Sequence, residues 1–315
     1  MRLIFTFILM LCSGMVDAQN IIKKCKTCGK PISQCQYKGT HVASSSVSPS
    51  PQKKRNHVKK TPQTSQAHQM SSLSNQKVSS EGKVIIIPVK DGINIEMVKV
   101  EAGTFMMGPT SELEKPYHWE KPRHKVTLTK DYYIGKYEVT QALWQVVMGN
   151  NPSDFKGDNF PVEKVSWNDC QAFITKLNGM TGRKFRLPTE AEWENAARGG
   201  RKSQAYQYCG SNNISDVAWY WDNNTGMTHP VGGKLPNELG IYDMSGNVLE
   251  WCQDLYGAYA SSSQINPKGA VSGTDRVFRS GGWNGVASSC RLSCRSGFAP
   301  NVRCNYLGLR LALSE

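Results

Sequence analysis

The chain has 315 residues and a formal charge of +13, long enough for one large domain or two small ones, and its 39% hydrophobic content suffices for a packed core. The charge does not point to nucleic acid. Between Gln19 and Gly82 ten lysines and one arginine face a single acid, Glu81, so that stretch carries +10 and the remainder is close to balanced. A solvated basic tail accounts for the excess, and a nucleic-acid partner is set aside.

The first residues run from Arg2 through an apolar stretch, Leu3 to Leu11, to small residues ending in Val16-Asp17-Ala18. That order is a secretory signal, too short to span a bilayer, so residues 1–18 are expected to be removed and the protein exported to the periplasm, the cell surface or the medium. Lipoprotein processing at Cys12 is the other route and also leads out of the cytosol. Without Cys12, nine of the ten cysteines remain, and an odd number leaves at least one free, metal-bound or intermolecular. Residues 19–41 hold Cys25, Cys28, Cys35 and His41, ligand types and a tight first spacing that suit Zn2+. Export allows disulfides there instead, and both readings stay open. Residues 42–82, rich in Ser, Gln, Lys and Pro and without aromatics, read as a disordered basic linker able to lie against an anionic envelope or membrane surface.

From 83 to 315 aromatics, glycines and short apolar runs are dense, and this is the folded domain. Strands are expected at 84–89, 96–100 and 125–129. A helix should start near Thr140 with Leu143, Trp144 and Val147 inward. Another follows Ser166 or Asn168, burying Cys170, Phe173, Ile174 and Leu177. Thr189-Glu190-Ala191-Glu192 is a capping box, after which Trp193, Ala196 and Ala197 face in and Gly199-Gly200 ends the helix. Strands at 276–279 and 308–313 complete an α+β pattern poor in regular structure. His118, His124 and His229 have no metal-ligand spacing, and neither a Ser/His/Asp motif nor a phosphate loop occurs.

The loops carry a series of motifs: VEAGTFMMG at 100–108, YYIGKYEVTQALWQVVMG at 132–149, PVEKVSWNDCQAFITKLN at 161–178, RLPTEAEWENAARGG at 186–200, LGIYDMSGNVLEWCQD at 239–254, RSGGW at 279–283 and YLGLRLAL at 306–313. Together they resemble the sulfatase-modifying-factor family, whose founding members are formylglycine-generating enzymes. The resemblance implies a compact C-type-lectin-like fold with little regular secondary structure and stabilised by calcium. In the enzymes two cysteines bind Cu(I) and, with O2, oxidise a cysteine of a sulfatase's Cys-x-Pro-x-Arg segment to formylglycine; soft thiolates suit that ion.

The family register counted from Gly281 puts those cysteines at Val286 and Arg291. Counted back from Leu307-Gly308-Leu309-Arg310, the second falls on Ala287. Cys290 and Cys294 are the candidate thiols, one residue too close together and out of register, which argues against Cu(I). Relatives with a cysteine before this arginine and another after Glu-Trp imply instead a Cys252–Cys290 disulfide. The resemblance also makes the segment after Gly282 the ligand-facing surface, similar to the variable segments of proteins diversified by retroelements, with Trp283, Asn284, Arg291, Arg295, Phe298, Arg303 and Tyr306 as candidate contacts. The arginines would bind carboxylates or sulfates, or else tie loops internally. Calcium carried over by position would take the Asp243 side chain, the Gly246 and Val248 carbonyls and the Glu250 carboxylate, all hard oxygen donors; the alternative is a turn closed by Asp243 and Asn247. The expected function is therefore a non-catalytic module binding a protein or glycan ligand, against an oxidase with a rearranged thiol pair acting on a sulfatase.

Overall fold

A computed structural model describes residues 84–110 and 115–314. The chain divides into two units, 1–74 and 75–315, and all described residues lie in the second. The signal segment, the Cys25, Cys28, Cys35 and His41 knot with its Zn2+, and the basic linker lie outside them.

Two antiparallel strands open the fold, β1 (Val84–Lys90) and β2 (Ile93–Val100), followed by β3 (Gly103–Met107), β4 (His124–Leu128) and β5 (Tyr132–Gly135). Helices α1 (Gln141–Met148) and α2 (Trp167–Thr181) come next, then β6 (Phe185–Arg186), α3 (Glu190–Ala197) and the short α4 (Ile214–Val217). The second half carries β7 (Leu249–Leu255), β8 (Gln264–Ile265), β9 (Arg276–Arg279), β10 (Ser296–Phe298), β11 (Leu307–Leu309) and β12 (Ala312–Ser314). They form a five-stranded sheet β1-β2-β5-β12-β6, a four-stranded sheet β10-β9-β7-β11 and a three-stranded sheet β3-β4-β8. The architecture is α+β, with long irregular connections among the described residues.

Local chemistry sets the helix ends. Thr140, Ser166 and Thr189 each accept from the backbone N–H three residues on, and at α2 and α3 Asp169 and Glu192 reach back to the cap, so free donors are satisfied reciprocally. Gly149 and Gly182 end α1 and α2 in the left-handed conformation. The expected inward residues are buried, and Trp144 stacks on Phe173 at 4.9 Å to join α1 and α2.

The strand expected at 308–313 is two strands, because the chain changes sheets at Arg310. Leu307–Leu309 runs parallel to β7, while Ala312–Ser314 pairs with β5 and β6. The Arg310 side chain, fully buried, fills the junction and bonds to the Glu250 carboxylate and the Gly135 and Tyr242 carbonyls. Gly308 lets the crossing pack tightly: a Cβ there would stand 2.4 Å from the Val162 carbonyl oxygen. Gly308→Ala is therefore expected to destabilise by about 1–3 kcal/mol. Gly179→Ala, on α2 with nothing within 4 Å of the new methyl, should stabilise by about 0.5–1 kcal/mol. Urea midpoints of the two variants check this opposition of sign.

Candidate functional site

The segment from Arg279 leaves β9 through a tight turn. Ser280 takes φ 87°, rare for a side-chain-bearing residue, and its hydroxyl donates toward the Asp243 (3.3 Å) and Gly246 (3.1 Å) carbonyls. Gly281 follows at φ +74°, where a Cβ would lie 2.7 Å from the Cys290 sulfur. From there Trp283 is anchored by its indole N–H to the Asn305 carbonyl at 3.0 Å and meets the Phe155 ring edge-on.

Four arginines of the stretch from Arg279 to Arg303 meet carboxylates from distant segments. Arg279 reaches Glu190 (2.7 Å) and Glu194 (2.6 Å), Arg295 grips Glu190 with Nε and Nη2 (2.6 and 2.8 Å), Arg291 grips Glu120 (3.2 and 2.8 Å), and Arg303 grips Asp169 (2.6 and 2.8 Å). Arg295 also lies over Tyr256 and Tyr259, and Arg291 over Tyr117. Burial would raise the Glu190 carboxyl, but Arg295 and Arg279 override it and hold it at about 2.

This corrects the expected ligand surface. Arg291 and Arg295 are buried internal ties, Tyr306 is buried in the core, and Phe298 packs among Trp251 and Phe278. Arg303 is half exposed but engaged with Asp169. Trp283 and Asn284 remain partly exposed. Beside them stand Val286, 55% exposed, which sequence reasoning left out of the candidate contacts, and Trp221, 44% exposed, which it passed over. The Trp221 backbone N–H donates to the Gly285 carbonyl (2.9 Å) and the Asn224 amide to the Trp283 carbonyl (2.7 Å), so the two loops form one face. The one signal for Trp221 was its place in a WYWDNN run between turn residues.

The cysteines are corrected as well. Cys252 and Cys290 are both free and fully buried, not bridged. Cys252 faces from β7 into the cluster beneath α3, while Cys290 packs in a separate cluster with Tyr208, Val217, Ala218 and Tyr220. Burial, and then the nearness of Cys294, pushes the Cys290 thiol far up. Cys294, half-buried, is raised to about 11 by burial and by Glu120. Neither thiol is poised as a thiolate.

The oxygens expected to hold calcium have partners within the protein. Both Glu250 oxygens are taken, by Arg310 (2.7–3.2 Å) and by the Trp193 indole N–H (2.7 Å). The Gly246 carbonyl accepts from Ser280, and Asp243 Oδ2 from the Gly232 N–H. Asn247, at φ 58°, donates its amide to Glu138 (2.7 Å), and the Val248 N–H also meets Glu138 (3.1 Å). The closed, hydrogen-bonded turn is what forms. Burial, with Asp243 and Glu250 nearby, lifts Glu138 well above the usual carboxylate range. Among the described residues no three His, Cys, Asp or Glu side chains are grouped as a metal site.

Comparison with known proteins gives a consistent result. The model of the sulfatase-modifying factor enzyme 1-like domain matches residues 88–315. A chaperone protein LppX from Paenibacillus barcinonensis is 37% identical, the match covering 71% of this chain and 91% of that protein. The formylglycine-generating enzyme of Mus musculus is 35% identical over 55% of this chain, which spans 50% of that enzyme's length. Among solved structures, Treponema denticola variable protein 1 superposes with a TM-score of 0.67 at 33% identity, over 73% of this chain and 98% of that one.

Two outcomes follow from this geometry. Glu190, held low, contributes stability that is present above the unfolded carboxylate value near pH ~4.3 and lost as pH falls towards about 2. Acid unfolding should thus steepen across that window, and Glu190→Gln should flatten it while Glu101→Gln, at an exposed pair, leaves it unchanged. Native alkylation with iodoacetamide near neutral pH should leave Cys252 and Cys290 unmodified and label Cys294 slowly, read by peptide mass mapping.

Proposed function

The chain belongs to the sulfatase-modifying factor family, and from that premise we propose that it is an exported, non-catalytic module that binds a protein or glycan ligand on the face built by Trp221, Trp283, Asn284 and Val286. One observation carries this reading. Where the family register asks for the first copper-binding cysteine, the chain presents the exposed side chain of Val286. The second position falls on Arg291, locked onto Glu120, or on Ala287. The remaining thiols, Cys290 and Cys294, lie out of register and are held protonated.

The arginines that might have drawn an anionic ligand to this face are satisfied internally, so its character is aromatic and aliphatic. Such a surface suits the apolar side chains of a partner protein or the C–H face of a sugar ring. The relative named as a chaperone favours a protein partner. Export rests on the first eighteen residues, and the basic stretch beyond them supports a station at an anionic envelope surface.

Incubation with Cu(I), O2 and a Cys-x-Pro-x-Arg peptide tests the catalytic alternative: the peptide should keep its thiol mass, and appearance of the aldehyde would overturn the reading. On protein and glycan arrays, Trp221→Ala should lower retention of any ligand by about tenfold or more, the loss typical of truncating an interfacial tryptophan.

A further inference from the structure

A cleft lies outside that face, among other elements. It measures about 790 Å³ and is walled by the end of β4 and the start of β5, by Arg186 to Glu192, by Gln253-Asp254 on β7, by Asn266 to Lys268 and by Ser314. Its size falls within the range of small-molecule sites, roughly 300–1,000 Å³.

Most charges in its wall are already matched. Arg186 grips Glu192 with both terminal nitrogens (2.6 and 2.7 Å) and donates to Ser314 (3.0 Å), and Asp131 accepts from Lys99 (3.0 Å) and from the Ala102 N–H (2.7 Å). Three groups are not. Lys130 and Lys268 are exposed and have no carboxylate partner among the described residues. Asp254, only 4% exposed, uses Oδ2 to accept from the Glu190 N–H (2.9 Å) and has no hydrogen-bond partner on Oδ1. Next to it the Gln253 side-chain oxygen accepts one long contact from the Gln171 amide, at 3.4 Å.

We infer that this cleft is a binding site for an acidic sugar, a uronate-bearing or sulfated oligosaccharide of two or three rings, with Lys130 and Lys268 holding the anion and Asp254 and Gln253 meeting ring hydroxyls. The two ammonium groups favour a negative ligand, and an unpartnered carboxyl beside a carboxamide answers hydroxyl groups. Pro267, partly exposed, supplies apolar wall for the C–H face of a ring. A nucleotide fits poorly, since the Tyr132 ring is 2% exposed and offers no stacking platform. Burial, and then the charge of Glu190, raises the Asp254 carboxyl to about 7, so near neutrality it can donate to a sugar oxygen as well as accept.

The test is calorimetric titration of the full chain with digalacturonate and with a carrageenan-type sulfated disaccharide, which carries no carboxylate, using lactose and triglutamate as controls. One or both acidic disaccharides should bind, the preferred one identifying carboxylate or sulfate as the anion, while lactose and triglutamate bind at least about tenfold more weakly. Lys130→Ala combined with Lys268→Ala should weaken binding by about tenfold or more without moving the urea midpoint, both side chains being exposed. Trp221→Ala should leave this affinity within about twofold, which separates the cleft from the face proposed above. Absence of binding at millimolar disaccharide, equal binding of lactose, preference for triglutamate, or an unchanged affinity in the double variant would each overturn the inference.

Discussion

Two buried glutamates on the same helix, Glu190 and Glu194, hold three arginines from different parts of the chain, Arg198, Arg279 and Arg295. Glu190 and Glu194 project from α3, Arg279 ends β9, and Arg295 enters β10, so one ionic cluster fixes a helix, two strands and the cysteine-bearing segment between them. Each of these groups costs several kcal/mol to take out of water, and attraction offsets that only when geometry and hydrogen bonding are nearly complete. Here they are close to complete: Arg295 also donates to the Gly257 carbonyl and Arg279 to the Leu292 carbonyl and the Tyr259 hydroxyl. The cluster is therefore better understood as specifying where the loops lie than as adding much net stability.

The same device recurs wherever irregular chain must be buried. Glu120 ties Arg291 and Ser293, and Glu250 ties Arg310 and Trp193. A domain with short strands cannot satisfy its loop backbone through ladders alone, so charged side chains with several donors take over that work. The proposed function rests on this allocation. Arginines used inside are withdrawn from the surface, and the proposed face is left with two tryptophans, a valine and partly covered polar groups. The turn from Asp243 to Glu250 follows the same logic, with Arg310 supplying the positive charge beside Glu250.

Much of the fold could be read from residues alone where the determinants are local. Thr189 and Glu192 announce a helix within four positions, and the pattern Leu143, Trp144, Val147 shows which side of α1 is buried. Strand β9 was legible to the residue. The strand β7 was not, because its partners β9 and β11 come later in the chain. The arginine pairings were equally hidden: Arg295 meets Glu190 across 105 positions and Arg291 meets Glu120 across 171. A single sequence shows that such arginines need acceptors but not which carboxylates provide them. That gap led the candidate surface to include Arg291 and Arg295 and to miss Trp221.

The most direct measurement of this account is a double-mutant cycle on Glu190→Gln and Arg295→Met, followed by urea denaturation. If the segment is positioned by that buried pair, the two changes should be coupled by about 2–3 kcal/mol, the second costing far less once the first is made. Free energies that add to within about 0.5 kcal/mol would mean the pair does not hold the segment, and would contradict the claim that its arginines are architecture.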